Sequence, residues 1–302
     1  MKKNLTLLII TALTCQNCAD SNFGSLGSDL LAQTGIVSAS QADSLIRFGS
    51  SAQKGLTKLS PLEEYYLGRS VAATVFSTYR PIQDRQLLVY VNKIAQILAS
   101  VSDKPQTYGG YYVAILDTDE INAIAAPGGF IFISTGFLKI IENEDQLASV
   151  LAHEIAHIVH EDGINAISQS TLSNALLTLG KDATIDQGGA LTAQLASALG
   201  DSVNEITNTL LTKGYSRSQE YDADEYAVEL LLRAGYNPHA SKEVLLALRN
   251  ASKDSDDSGL FSTHPSADNR LDEIESALEQ IAKNNSESQR IARFTSALRR
   301  SR

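Results

Sequence analysis

Apolar residues recur along most of this chain at helical spacing, and in two short stretches they crowd together as in strands. Ser60-Pro61-Leu62-Glu63-Glu64 reads as a helix start. Ser60 can cap, Pro61 suits the first turn, and the acids that follow favour the positive end of the helix dipole. A second helix is expected over residues 83–100. Residues 111–116 and 130–134 are rich in β-branched and aromatic side chains bounded by Gly, Asp or Pro, so they read as strands of a small sheet. The apolar run 147–152 opens another helix, 215–227 a further one, and 241–250 a short one before a polar loop at 253–259. The expected fold class is α+β, predominantly α-helical.

The helix that opens at 147–152 carries His153-Glu154-Ile155-Ala156-His157. Two His at i and i+4 lie one turn apart and can both reach one metal, while Glu154 projects close enough to address a water on it. A hydrolytic zinc site needs a third protein ligand and keeps its fourth position for water. The continuation H-x-x-G-x-x-H is excluded, because His160 stands at plus three from His157 and Gly163 at plus six. The helix over 215–227 offers Glu220 instead. Asp224, four residues on, faces the same way, as a ligand with a supporting carboxylate requires.

Over residues 60–282 the chain resembles the HtpX-like and CAAX-prenyl-protease-like family of gluzincin metallopeptidases. The resemblance rests on Asn122-Ala123-Ile124-Ala125-Ala126-Pro127-Gly128-Gly129, the His153 to His157 helix, Ser216-Arg217 with Glu220 and Asp224, and Thr263-His264-Pro265-Ser266 followed by Arg270. One departure is visible: many relatives carry a His five residues after the second ligand, where Asp162 stands here. His160 is then expected to be a solvated His at the helix end. The resemblance implies a zincin-like fold with a small β-sheet beside the His-Glu helix. It implies one Zn²⁺ per chain on His153, His157 and Glu220, Glu154 as general base, and Asp224 orienting a ligand His. It also places His264 and Arg270 at the cleft as catalytic residues. For His264 two roles stand open, stabilising an oxyanion or swinging onto the zinc.

In zincins an edge strand pairs with extended substrate, so 128–133 is expected to capture peptide backbone. Asn122, Ala123, Gly128, Gly129, Phe130 and Ile131 form the candidate substrate-binding set. The alternative is that Gly128 and Gly129 only make a turn into a core strand. Residues 170–212 are expected to form helices covering the cleft, as fixed packing or as a mobile lid. Membrane-embedded relatives carry spanning helices near there, but the longest uncharged run here, 187–200, is too short and Gly-broken to span. The chain therefore resembles a soluble or lipid-tethered branch.

Composition adds a location. Lys2 and Lys3 precede an apolar run at 5–13 that suits a signal-peptide core, so 1–18 is read as an export signal. Cys15 sits at a degenerate lipoprotein site, with lipidation, ordinary cleavage or an uncleaved anchor as the alternatives. Residues 19–58 read as a tether or peripheral helices, and 59–284 as the metallopeptidase domain. Cys15 and Cys18 are the only cysteines, so that domain has no internal disulfide. A net charge of -10 makes a nucleic-acid partner unsuitable. Residues 285–302 read as a basic tail with Ile291, Phe294 and Leu298 at helical spacing. It is either an amphipathic element for an acidic partner or membrane, or a frayed solvated end.

The resulting expectation is an exported zinc endopeptidase of the periplasm or outer membrane. It would act on protein or peptide substrates in envelope quality control, with envelope assembly machinery as a partner. The rival is a chaperone-like binding factor whose His264 keeps the fourth metal position filled.

Overall fold

The computed structural model describes residues 59–167, 200–252, 264, 267–279, 281 and 288–300, all within one compact unit. The export signal at 1–18 with Cys15, the tether at 19–58, residues 170–199 of the cleft cover and the loop at 253–259 lie outside the described residues.

The first described helix, α1 (Pro61–Thr78), starts as its sequence dictates, with a reciprocal box between Ser60 and Glu63. The second, α2 (Arg85–Ser100), begins two residues later than expected. The cause is Asp84, whose carboxylate accepts from the backbone N–H of Gln86 and Leu87 at 2.9 and 3.0 Å and so fixes the cap there.

Three strands follow: β1 (Tyr112–Leu116), β2 (Ala123–Ala126) and β3 (Phe130–Ser134), in the order β1-β3-β2. β3 runs parallel to β1 and antiparallel to β2. The expectation that 128–133 offers a free edge is thereby corrected: β3 is the middle strand, and its backbone is engaged on both sides. β1 is closed differently. The side-chain amide of Asn92 on α2 exchanges two bonds with Val113, each 2.9 Å, and Ile82 N–H donates to Ile115 at 2.8 Å. An amide that imitates a neighbouring strand blunts the edge. β2 is left as the outer strand on the other side.

The remaining elements among the described residues are helical: α3 (Thr135–Ile140), α4 (Glu144–Val159), α5 (Asp162–Asn165), α6 (Gly200–Asn208), a π-type turn (Thr209–Lys213), α7 (Arg217–Ala234), α8 (Ala240–Ser252), α9 (Ala267–Leu278) and α10 (Ser288–Arg300). α4 is buried almost end to end, with α2, α7, α8 and β2 packed around it. A helix enclosed in this way must be apolar on every face, so any charged group it keeps has a specific partner or task. No helix among the described residues is long and apolar enough to cross a membrane.

The basic tail expected at 285–302 is instead largely a docked helix. Phe294 of α10 is buried in the core cluster that α2 and α4 build. Arg290 and Arg293 are paired with Asp145 and Glu144 at the start of α4. Burying one aromatic and matching two cations to buried acids outweighs solvation of the segment.

Candidate metal centre

α4 is started by Asn143, whose side chain accepts from Gln146 N–H at 2.9 Å, and two acids in its first turn suit the dipole. Its last two turns place His153 and His157 on one side, with their Nε2 atoms 3.1 Å apart. α7 is started by a box between Ser216 and Gln219 and stopped by Gly235 in the left-handed region at φ 75°. It packs against α4 and brings Glu220 to the pair, with Oε2 3.5 Å from His153 Nε2 and Oε1 3.6 Å from His157 Nε2. Ligands about 2.0–2.2 Å from a tetrahedral zinc lie about 3.4 Å from one another, so this spacing fits the ion. His264 completes a buried group of four whose ligand atoms all lie within 4.8 Å; its Nδ1 is 2.7 Å from Glu220 Oε1.

Glu154, 2% exposed, lines two cavities that His264 also lines, and its Oε2 is buried without a hydrogen-bond partner. Such an orphan is costly unless something polar meets it. Two imidazole nitrogens and one carboxylate facing each other around a point, with a free acceptor alongside, suit zinc and an attacking water.

The carboxylates are held ionised. Burial alone would push Glu220 up, but the charges of His264 and Arg270 keep it well below the ordinary range. Burial also opposes ionisation of Asp224, and Arg270 again overrides it. The two histidines diverge. Burial and Arg270 press His153 down, yet hydrogen bonds to Asp224 and Glu220 raise it to about 9. For His157 burial prevails, and it is lowered despite Asp162. The nearby charge of His153 adds to the lowering of His157.

Asp224 stands where expected, with Oδ1 3.0 Å from His153 Nδ1. Arg270 reaches the centre too: Nε donates to Asp224 Oδ2 at 2.7 Å, Nη2 donates to Asp224 Oδ1 at 2.6 Å and lies 3.3 Å from His153 Nδ1, and Nη1 is 3.1 Å from Glu220 Oε2. Arg270 thus stands at the cleft, where it lines the same cavity as Glu154 and His264. His160 sits away from the group, its ring 5.3 Å from that of Tyr226.

Of the expected substrate-binding set, Ala123 lines a cavity with Ile124, Ala125, Leu210, Tyr215, Glu154 and His264. Asn122 is buried at the start of β2, its Oδ1 without a partner. Gly128, Gly129, Phe130 and Ile131 do not line this cavity. Gly128 (φ 75°) leaves only 2.8 Å between a Cβ and the Tyr65 backbone, and Gly129 (φ 100°) abuts the carbonyl of Gly110. Phe130 packs on Tyr65 and Ile131 lies in the core. The glycines thus sit in a tight turn, Gly128 against α1 and Gly129 against the segment at Thr107 and Gly110. A second cavity that Glu154 lines has His153, His264 and Arg270 in its wall together with apolar residues such as Phe137, Val244 and Leu248.

Three neighbours of the group went unrecognised in the sequence. Asp162 Oδ2 lies 2.8 Å from His157 Nδ1, Gln219 Nε2 donates to Asp162 Oδ1 at 2.9 Å, and the ring of Tyr215 lies 4.3 Å from that of His157. Tyr215 and Gln219 adjoin Glu220 within the recognised motif. Asp162 carried only the signal of a departure from relatives.

Comparison with known proteins agrees with this geometry. The family model "Peptidase family M48" matches residues 82–278. The "Beta-barrel assembly-enhancing protease" of Escherichia coli (strain K12) is 27% identical over 287 residues, covering 93% of this chain and 53% of its own. "Mitochondrial metalloendopeptidase OMA1" of Schizosaccharomyces pombe is 29% identical over 188 residues, covering 62% of this chain and 52% of its own. The chain spans about half the length of these relatives. On the family match over most of its length, and on the His-Glu helix at its centre, the chain belongs to peptidase family M48.

Proposed function

We propose that this chain is a zinc-dependent endopeptidase of the bacterial cell envelope, cutting proteins in quality control. The observation that carries the reading is the meeting of His153 Nε2, His157 Nε2 and the Glu220 carboxylate beside the unpartnered Glu154 Oε2. Zinc on those ligands would supply Lewis acidity toward a peptide carbonyl and its attacking water. Glu154 accepts the proton of that water and passes it to the leaving amine nitrogen, so one carboxylate serves as base and then as acid. Asp224 fixes the ring of His153, and Arg270 supplies the counter-charge of Asp224 and Glu220. β2, rather than β3, is the strand that would pair with an extended substrate, because its residues share the cavity with Glu154.

Export through residues 1–18, an anchor on Cys15 and work beside outer-membrane β-barrel assembly are parts of the same proposal. The last is suggested by the printed name of the Escherichia coli relative. Purified full-length chain should hold about one zinc and cleave an unfolded protein such as casein; zinc-loaded protein without cleavage would refute the enzymatic reading.

A specific contact favours a second reading, a latent or chaperone-like factor. His264 lies within the ligand group, 2.7 Å from Glu220, where it can complete the metal's shell. Under that reading His264→Ala raises activity. As an oxyanion donor, its loss would lower turnover with zinc content unchanged.

A further inference from the structure

We infer that Asp162 is the positioning residue of the second metal ligand, placed there by a left-handed turn at Glu161. The inference rests on the reading of His153, His157 and Glu220 as ligands. α4 ends at Val159, and Glu161 then takes φ 59°, ψ 29°, the only positive φ at a non-glycine residue among the described residues. A β-carbon makes that conformation costly, by about 1–2 kcal/mol, and such strain persists where the surroundings enforce it. Here Lys104, which bonds Glu64 at 2.8 Å, also lies 3.5 Å from the Glu161 carboxylate.

The reversal turns Asp162 back toward the end of α4. Its buried carboxylate does not cap α5, which has no side-chain cap. Instead each oxygen has a partner on one of the two ligand-bearing helices. Oδ2 meets His157 Nδ1 at 2.8 Å, and Oδ1 accepts from Gln219 Nε2 at 2.9 Å. The orientation of the Gln219 amide is determined, because its Oε1 accepts from Ser216 N–H at 3.1 Å and from Ser216 Oγ at 2.8 Å. Its NH₂ therefore faces Asp162, and the carboxylate is held for the imidazole.

A proton kept on His157 Nδ1 leaves the Nε2 lone pair directed at His153 Nε2 and Glu220, as a ligand needs. Asp162 thus does for His157 what Asp224 does for His153. The Gln219-Asp162-His157 chain also ties α7 to α4 one residue from Glu220. A carboxylate so placed raises the basicity of the ring as well as fixing it.

The test uses the full chain carrying Asp162→Ala, Asp162→Asn, Gln219→Ala or, as control, His157→Ala. Zinc dissociation constants are measured by chelator competition, visible spectra are taken of the cobalt-substituted proteins, and thermal unfolding is followed in parallel. Asp162→Ala should weaken zinc binding by roughly 10- to 100-fold and shift the cobalt bands. Asp162→Asn, which keeps an acceptor oxygen, should lose less, and Gln219→Ala less again. If His157→Ala leaves affinity unchanged, the ligand reading fails first. If His157→Ala abolishes binding while Asp162→Ala keeps wild-type affinity and bands, the proposal is overturned, even if the melting temperature falls. Should the alanine variant not fold, wild-type affinity and spectra in both Asp162→Asn and Gln219→Ala overturn it equally.

Discussion

The guanidinium of Arg290, on the last helix, lies 2.7 Å from the carboxylate of Asp145 in the first turn of the helix that bears His153 and His157. Asp145 is fully buried; it also accepts Asn237 N–H at 2.9 Å, while Arg290 reaches the carbonyl of Gly235 at 2.7 Å. One ion pair thus joins α10, the end of α7 and the start of α4. Removing the cation leaves a buried carboxylate without its counter-charge. Arg290→Ala is expected to cost about 2–3 kcal/mol, at or below the lower bound for breaking a fully buried pair because the arginine is partly exposed. Urea unfolding monitored by circular dichroism checks this; a loss under 0.5 kcal/mol, the range of ordinary surface changes, contradicts it.

The same junction should set an alkaline limit. Burial and then the charge of Glu144 raise the phenol of Tyr236 to about 12, and the same two causes raise Tyr90. A folded value above the unfolded value of 10.0 means that the protonated phenol contributes stability in full below pH 10 and loses it as pH climbs through about 12. Unfolding free energy should therefore be flat from pH 8 toward 10 and fall steeply above, and Glu144→Gln should soften the fall. An equal slope in wild type and Glu144→Gln contradicts the assignment.

Arg270 pairs with two buried acids, Asp224 and Glu220, that would otherwise lack a counter-charge. Arg270→Ala is expected to lower stability by about 3–5 kcal/mol and to reduce zinc retention. Arg270→Lys should not restore it, because a point charge cannot fork across Asp224 and reach Glu220 together. Zinc stoichiometry after dialysis, with denaturant unfolding in parallel, gives the answer; a lysine variant equal to wild type refutes the fork.

At Gly128 a methyl group would lie 2.8 Å from Tyr65 Cα and 2.9 Å from Glu64 O, at a positive φ. Gly128→Ala should therefore destabilise by about 2 kcal/mol or more, through packing and backbone strain. A thermal melt of that variant, compared with Gly235→Ala, isolates the packing part, since nothing lies within 4 Å of a Cβ at Gly235.

What the sequence made legible was local. His153, Glu154 and His157 share one helical turn, so their meeting follows from periodicity, and Glu220 with Asp224 sits in a second short pattern. β2 escaped notice because four residues of Ala and Ile beside Asn122 and Pro127 carry neither alternation nor length. β3 was read as an edge because strand order is a property of the sheet. Asp162 became meaningful only through the unusual backbone of Glu161, which no residue type signals. The docking of α10 depends on partners about 145 residues away, and five arginines in a short tail look solvated until Glu144 and Asp145 are seen opposite them.

The proposed role of Glu154 as the base of a zinc peptidase is tested most directly by Glu154→Gln, because glutamine preserves shape but cannot take the proton. Zinc content by mass spectrometry and casein cleavage are measured on wild type and variant prepared free of other proteases. About one zinc in each, cleavage by wild type, and a fall of about 10²- to 10⁴-fold in the variant are expected. Undiminished cleavage by the zinc-loaded Glu154→Gln protein would contradict that role.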